Sequence, residues 1–155
     1  MNPEKALNTI AGICSKKEYC SWDIRNKLIQ WEIPGTEIPR IMDFLFKYKF
    51  IDDRRFAQAY AEDKFRFNHW GKQKIALMLR QKHISQDIIT EALSSLSQDH
   101  YEESCLTLLR QKQQSLQNYD TYQQKIRLTR FGLGRGFDYE MLNRCITRLF
   151  KEAEE

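Results

Sequence analysis

The sequence predicts an all-α protein built as a tandem array of three three-helix, helix-turn-helix-like repeats. Three observations carry that expectation. Apolar residues follow a helical period through almost the whole chain, with no sustained two-residue alternation. Helix start and stop signals recur at short intervals. The apolar pattern of one third of the chain also superposes on the next. A unit of about 50 residues is small for independent stability, so such units must pack on their neighbours. An elongated array, straight or curved, is the expected product.

The elements follow in order. A first helix is expected near 4–17. Ser21 with Asp23 opens a second near 22–32, stopped by Pro34-Gly35. Thr36 with Glu37 opens a third near 36–48, and Asp53 a fourth near 53–68 that ends before Gly71. A fifth is expected near 71–82. Ser85 with Asp87 opens a sixth near 86–97, and Asp99 with Glu102, at capping-box spacing, a seventh near 100–117. Asp120 opens an eighth near 120–132, stopped by the glycines from Gly132 to Gly136, and Asp138 with Glu140 a ninth near 138–152. Each start pairs a side-chain acceptor or an acid with the positive end of the helix dipole.

The nine helices group as residues 1–51, 52–98 and 99–155. A shift of 51 residues carries Ile24 to Ile75, Leu28 to Leu79, Ile33 to Ile84, Ile38 to Ile89, Met42 to Leu93 and Leu45 to Leu96. A shift of 53 carries Ile84 to Phe137, Ile89 to Leu142, Leu93 to Ile146 and Leu96 to Leu149. For the middle helix the sequence suggests 51 again, Ile75 to Ile126, with two residues gained in the glycine-rich turn.

Composition bounds the rest. The 155 residues are 41% hydrophobic and 30% charged, with a mean hydropathy of -0.67. Such a chain is poor material for a thick core or a large cofactor cavity. Three Pro and six Gly argue against disorder or a loop-rich scaffold. Glu4 and Lys5 interrupt any leader-like start and no apolar run reaches the ~20 residues of a membrane span, so a cytoplasmic location is expected; the chain is taken as a monomer, although nothing in the sequence bears on oligomeric state. Cys14, Cys20, Cys105 and Cys145 make no C-x-x-C and have no His at zinc-ligand spacing, so reduced thiols are expected.

The net charge of +4 is mild, but its distribution is uneven. From Lys64 to Gln86 there are six bases (Lys64, Arg66, Lys72, Lys74, Arg80, Lys82) and no acid; from Thr121 to Phe137 there are four (Lys125, Arg127, Arg130, Arg135) and again no acid. Both windows contain the middle helix of a repeat. With Phe65, Phe67, Trp70 and Phe131 interleaved, they could track a nucleic-acid backbone or an acidic protein surface. The competing reading is a solvated helix face with the aromatics in the core.

Enzymatic constellations fail on inspection. Asp52 and Asp53 are adjacent carboxylates, but an N-cap role accounts for Asp53. His69, His83 and His100 stand apart, none with a Cys, Ser or carboxylate at a locally useful spacing. The Gly132 to Gly136 segment follows a helix and lacks the Lys-Ser/Thr of a phosphate loop, so a helix end explains it. Met42, Met78 and Met141 lie on apolar stripes. No metal, cofactor or reaction is implied.

The segment Phe50-Ile51-Asp52-Asp53-Arg54-Arg55-Phe56-Ala57, followed by Trp70-Gly71-Lys72-Gln73-Lys74-Ile75, resembles the RecX family of recombinase regulators. The family pattern there is an apolar residue, Asp-Asp, a basic residue and Phe-Ala, then Gly-x-x-Lys/Arg-Ile; Leu79 and Lys82-His83-Ile84 continue it. Upstream, Cys20 to Leu28 resembles Ser-x-x-Glu-Leu-x-x-Lys-Leu. Downstream, Lys125-Ile126 through Arg130-Phe131 and Arg135-Gly136-Phe137 resemble the third unit. Two departures stand out. Cys20 replaces a usual Ser, with Ser21 left to supply the cap. His83 occupies a turn position where Gly is usual, so that helix end is expected to be less relaxed. The resemblance implies a non-enzymatic protein with no cofactor that lodges in the groove of the RecA–single-stranded DNA filament. There it would inhibit strand exchange, ATPase and coprotease activity, in DNA repair, recombination and the SOS response. Asp52, Asp53, Phe56, Ala57, Gly71 and Ile75 would then be its structural motif, and the ten bases of the two windows its filament- and DNA-binding face. A helix-turn-helix protein acting on duplex DNA is the alternative. Its third helices, Glu37 to Lys49 and Gln86 to Gln98, are apolar and weakly charged, which is poor material for reading bases.

Overall fold

The computed structural model describes residues 1–154; Glu155, the last acid of the C-terminal tail, lies outside the described residues. The described residues form nine α-helices and no strand: α1 (Pro3–Cys14), α2 (Ser21–Gln30), α3 (Ile38–Lys47), α4 (Asp53–Asn68), α5 (Lys72–Gln81), α6 (Gln86–Ser94), α7 (Gln98–Gln114), α8 (Thr121–Gly134) and α9 (Tyr139–Glu154). All nine lie where the periodicity and punctuation place them, with ends shifted by a few residues.

Caps explain several of the starts. Asn2 accepts the Lys5 N–H (2.8 Å) ahead of Pro3, whose missing N–H costs nothing in a first turn. Asp120 accepts from Gln123 (2.8 Å) and Asp138 from Met141 (2.8 Å), as the sequence suggests. At α7 the cap is Ser97, which accepts from His100, rather than Asp99.

The ends of the middle helices reveal the repeat most clearly. In α2 the Ile33 N–H bonds back to the Leu28 carbonyl (3.1 Å), with Glu32 between them at φ 59°. In α5 Ile84 bonds to Leu79 (3.2 Å) with His83 at φ 59°, and in α8 Phe137 bonds to Gly132 (3.1 Å) with Gly136 at φ 97°. This is a Schellman end, a left-handed residue followed by an apolar one folded back on the helix; it closes all three middle helices and also α3, where Phe50 bonds to Leu45 (2.9 Å) with Lys49 at φ 60°. It also corrects the register read from sequence. The shift from the second middle helix to the third is 53 throughout, so Leu128, fully buried, stands where Ile75 does, and Ile126 is only half-buried. The turn has gained nothing. Gly132 replaces Leu79, and the room it leaves is filled by Leu142, whose side chain a methyl at Gly132 would strike. His83 does adopt the left-handed conformation, and its ring stacks on Trp22 (centroids 5.1 Å apart, planes at 15°), a contact that offsets the strain.

The chain divides into two compact units: residues 1–60 with 79–92, and 61–78 with 93 onward. The first contains a core of Ala6, Ile10, Ile24, Leu28, Ile33, Ile41, Met42, Leu45 and Ile51. The second packs α7, α8 and α9 through Leu106, Leu109, Leu128, Leu142 and Ile146. Within it Tyr101 lies between Phe65 (5.9 Å) and Phe137 (5.1 Å). Among the described residues no polar or charged side chain is fully enclosed, which suits a lightly apolar chain with thin cores.

Candidate functional site

The start of α5 has no capping side chain, because Trp70-Gly71 precedes it. Its free N–H groups are satisfied from elsewhere in the second unit. Gly71 N–H donates to the Arg135 carbonyl (2.7 Å), Gln73 N–H to the Gly136 carbonyl (3.0 Å) and Lys72 N–H to the Tyr101 hydroxyl (2.9 Å). The two backbones meet closely: a Cβ on Gly71 would overlap the Gly136 peptide, and one on Gly136 would overlap Lys74. Burial pushes the Tyr101 hydroxyl up to about 12, which keeps it neutral while it accepts the Lys72 N–H.

This crossing brings Lys72, Lys74 and Arg135 to one corner and dresses it with aromatic rings. Lys74 Nζ lies 4.5 Å and Lys64 Nζ 5.1 Å from the Trp70 ring centroid. Lys72 lies over Tyr101 (4.9 Å), and Arg135 over Phe131 (4.8 Å). Such contacts contribute about 0.5–1 kcal/mol each at exposed sites and leave the cations' outer faces available to an anion. Along α8, Lys125 lies over Phe150 (5.1 Å) and Arg127 over Tyr119 (4.0 Å).

The ten bases of the two windows are not alike. Arg66 pairs with Glu62 (3.4 Å), and Arg80 bonds to Gln86 (3.2 Å). Lys82, in the first unit, donates to both Asp23 oxygens (3.1 Å each) beside the Phe56 ring. Among the described residues, Lys72, Lys74, Lys125, Arg127, Arg130 and Arg135 enter no ion pair, and all six belong to the second unit. Lys82 is thus a brace within the first unit, while these six are open to an external anion.

The Asp-Asp-x-x-Phe-Ala motif is a clasp. Asp52 caps α4 by accepting the Arg55 N–H (3.1 Å). Asp53 is the first residue of α4 and not its cap; its carboxylate instead reaches α2, accepting the Ser21 N–H (2.7 Å) and the Ser21 hydroxyl (2.6 Å). Cys20, at the cap position of α2, makes no capping bond with its side chain, and the acceptor expected from Ser21 comes from Asp53. Arg55 bonds Glu18 (2.7 Å) and the carbonyls of Lys49 and Phe50, gathering the end of α3. Phe56, Ala57 and Ile75 are buried.

A further contact between distant residues joins His69 Nδ1 and Ser104 Oγ at 3.0 Å. Among the described residues no third group holds that ring, so the pair lacks the orienting partner of an activated nucleophile. No group of three His, Cys, Asp or Glu side chains is placed to hold a metal among the described residues. The four thiols are free. Burial pushes Cys20 up to about 12, and the hydrogen bond between Cys105 and Cys145 raises the former and lowers the latter. Tyr101, which accepts the Lys72 N–H and lies under the Lys72 ammonium, gives no signal in the sequence, because an isolated tyrosine on a helical stripe shows nothing until the fold reveals what it faces. No helix among the described residues is long and apolar enough to cross a membrane.

Two family models match the chain: RecX, second three-helix domain, over residues 52–93, and RecX, third three-helix domain, over residues 99–146. The regulatory protein RecX of Clostridium perfringens (strain 13 / Type A) is 30% identical over 147 residues, covering 94% of this chain and 68% of the relative. This chain belongs to the RecX family. The regulatory protein RecX of Clostridium botulinum (strain Eklund 17B / Type B) is 36% identical over 121 residues, 77% of this chain, and the chain spans 56% of that relative's length. A crystal structure of RecX from Lactobacillus salivarius superposes with a TM-score of 0.86 over 95% of this chain and 96% of that one; at 21% identity it establishes the fold. The second RecX domain match holds the Asp52–Ala57 clasp and the Trp70 corner, and the third holds α8 with Lys125, Arg127, Arg130 and Arg135. The relatives are named as regulatory proteins, which is not an enzyme class.

Proposed function

We propose that this RecX-family chain is a non-enzymatic regulator that binds the RecA–single-stranded DNA filament and inhibits RecA's recombinase, ATPase and coprotease activities. The observation that carries the reading is that six of the ten cations of the two acid-free windows, all in the second unit, enter no ion pair among the described residues. Four of them, Lys72, Lys125, Arg127 and Arg135, lean on aromatic rings outside the Trp70 contact that Lys74 makes. Cations held this way keep their charge available for phosphates or for acidic protein surface. The three-repeat division into 1–51, 52–98 and 99–155 is part of the proposal, supported by the matching ends of the three middle helices and by the two domain matches. Repeats that each bind weakly gain affinity together when they engage successive sites on a polymer. A monomer in the cytoplasm is the expected working form.

The duplex-binding alternative has less support. A recognition helix needs free side chains to read base edges. In α9, Arg144 pairs with Glu102 (3.3 Å), and Arg148 pairs with Glu102 (3.3 Å) and Glu103 (3.6 Å), so its guanidiniums are already engaged. The test is RecA's DNA-dependent ATPase with purified protein added below the RecA concentration. Inhibition that weakens with salt supports the reading; unchanged ATPase with filaments intact by electron microscopy refutes it.

A further inference from the structure

The second unit carries a cleft that the basic-window reading does not account for. It has a volume of 450 Å³ and lies between one face of α8 and one face of α9. The α8 side supplies Tyr122, Lys125, Ile126 and Arg130, at a spacing that keeps them on one helix face, and the α9 side supplies Tyr139 and Asn143. No acid lines it. The two tyrosines are 70% and 60% exposed; among the described aromatic residues only Phe67, at 71%, exceeds both. The volume falls within the range of small-ligand sites, about 300–1,000 Å³.

We propose that this cleft is a nucleotide subsite for single-stranded nucleic acid, holding an unstacked base against the tyrosine rings with its flanking phosphates on Lys125 and Arg130. Each component has a matching chemistry. Aromatic rings stack on any base. The Ile126 side chain gives an apolar floor. Asn143 offers both a donor and an acceptor to a base edge. Lys125 and Arg130 enter no ion pair among the described residues, so their charge is available to phosphate. A duplex does not fit this arrangement, because its bases are stacked and paired and present only edges. An acidic peptide would satisfy the cations but would leave two exposed rings and an amide without partners. The cleft rests on the reading that the protein engages single-stranded DNA, and it adds where one nucleotide sits and through which side chains.

The experiment measures binding of a fluorescent oligothymidylate to the full chain by anisotropy, beside the RecA ATPase assay. Tyr122→Ala with Tyr139→Ala is expected to weaken binding roughly 5- to 100-fold, the range for losing stacking on one base. Tyr122→Phe with Tyr139→Phe keeps the rings and is expected to stay close to wild type. Lys125→Gln with Arg130→Gln is expected to flatten the dependence on log salt by roughly 0.7 per cation removed. An oligonucleotide carrying 5-iodouracil is expected to photocross-link to Tyr122 or Tyr139, a readout that a purely structural role for these rings would not produce. Unchanged affinity in the double alanine variant, or cross-links confined elsewhere, overturns the subsite. Displacement of the oligonucleotide by poly-glutamate at equal phosphate and carboxylate concentration also overturns it and assigns the cleft to an acidic protein. If RecA inhibition persists while the wild-type protein binds no oligothymidylate, the subsite fails and the filament reading stands. If ATPase inhibition is absent while cross-links form at the tyrosines, the filament reading fails and the subsite stands.

Discussion

Replacing Asp53 by Ala should destabilise the protein by more than its place at a helix start suggests, because its carboxylate serves a different helix. Two bonds are lost, from Ser21 N–H at 2.7 Å and from Ser21 Oγ at 2.6 Å. A hydrogen bond to a charged group contributes about 1.5–3 kcal/mol. Ser21 and Asp53 are half-buried, so water recovers part of the loss and the hydroxyl can turn outward. The Ser21 N–H is then left in the first turn of α2, where Cys20 offers it nothing. Removing a first-turn acid from α4 costs a further ~0.3–1 kcal/mol. The expected total is about 3 kcal/mol, or a melting temperature lower by about 6–10 °C for a chain of this size. Asp52→Ala, which removes a single local cap, should cost about 1 kcal/mol. Ser21→Ala removes only the hydroxyl bond, and its coupling to Asp53→Ala in a double-mutant cycle should be about 1 kcal/mol. Urea unfolding followed by circular dichroism and by tryptophan fluorescence, with Trp22 and Trp31 reporting on the first unit, measures all four variants. If Asp53→Ala costs no more than Asp52→Ala, or if the coupling lies within error of zero, the clasp is not what holds α2.

Other perturbations test other parts of the argument. Lys72→Gln with Lys74→Gln should cost about 1–2 kcal/mol of urea stability through the two lost ring contacts and also weaken filament binding and its salt dependence, whereas Lys82→Gln should cost roughly 0.5–1 kcal/mol through the lost Asp23 contact and leave the salt dependence intact. Gly71→Ala should cost about 3 kcal/mol or more, because the new methyl meets Gly136 backbone that cannot turn aside. Gly12→Ala, in the interior of α1 with nothing within 4 Å, should instead stabilise by about 0.5–1 kcal/mol; thermal melts separate the two. Tyr101 ionises near 10 when unfolded and is pushed up to about 12 in the fold. The folded state therefore holds a proton that the unfolded chain has released, and this residue's contribution to stability is lost as pH rises from 10 toward 12. Tyr101→Phe should remove that loss, measured by urea unfolding across the alkaline range.

Much of the candidate site was legible as residue types but not as partners. The acid-free windows were visible, and six of their ten cations are open in the structure. Nothing in the spacing marked Lys82 as a brace, since Asp23 lies 59 positions away. Asp53 read as the cap of its own helix because capping is normally local, and its true partner is 32 positions distant. The register of the third middle helix was misread for a related reason: Ile126 and Leu128 are both apolar, and only burial distinguishes the core position from the cleft floor.

What the sequence determined by itself was therefore local and periodic. Apolar residues at helical spacing, caps, and left-handed turn positions act within one or two turns, so nine helices and a recurring three-helix pattern could be read in order along the chain. The tertiary structure decided which charges are consumed and which remain. An ion pair between distant residues, a backbone donor satisfied across a turn, or a cleft between two helix faces depends on distances that only packing sets. Packing is also what leaves the two tyrosines of the α8–α9 cleft facing solvent beside open cations.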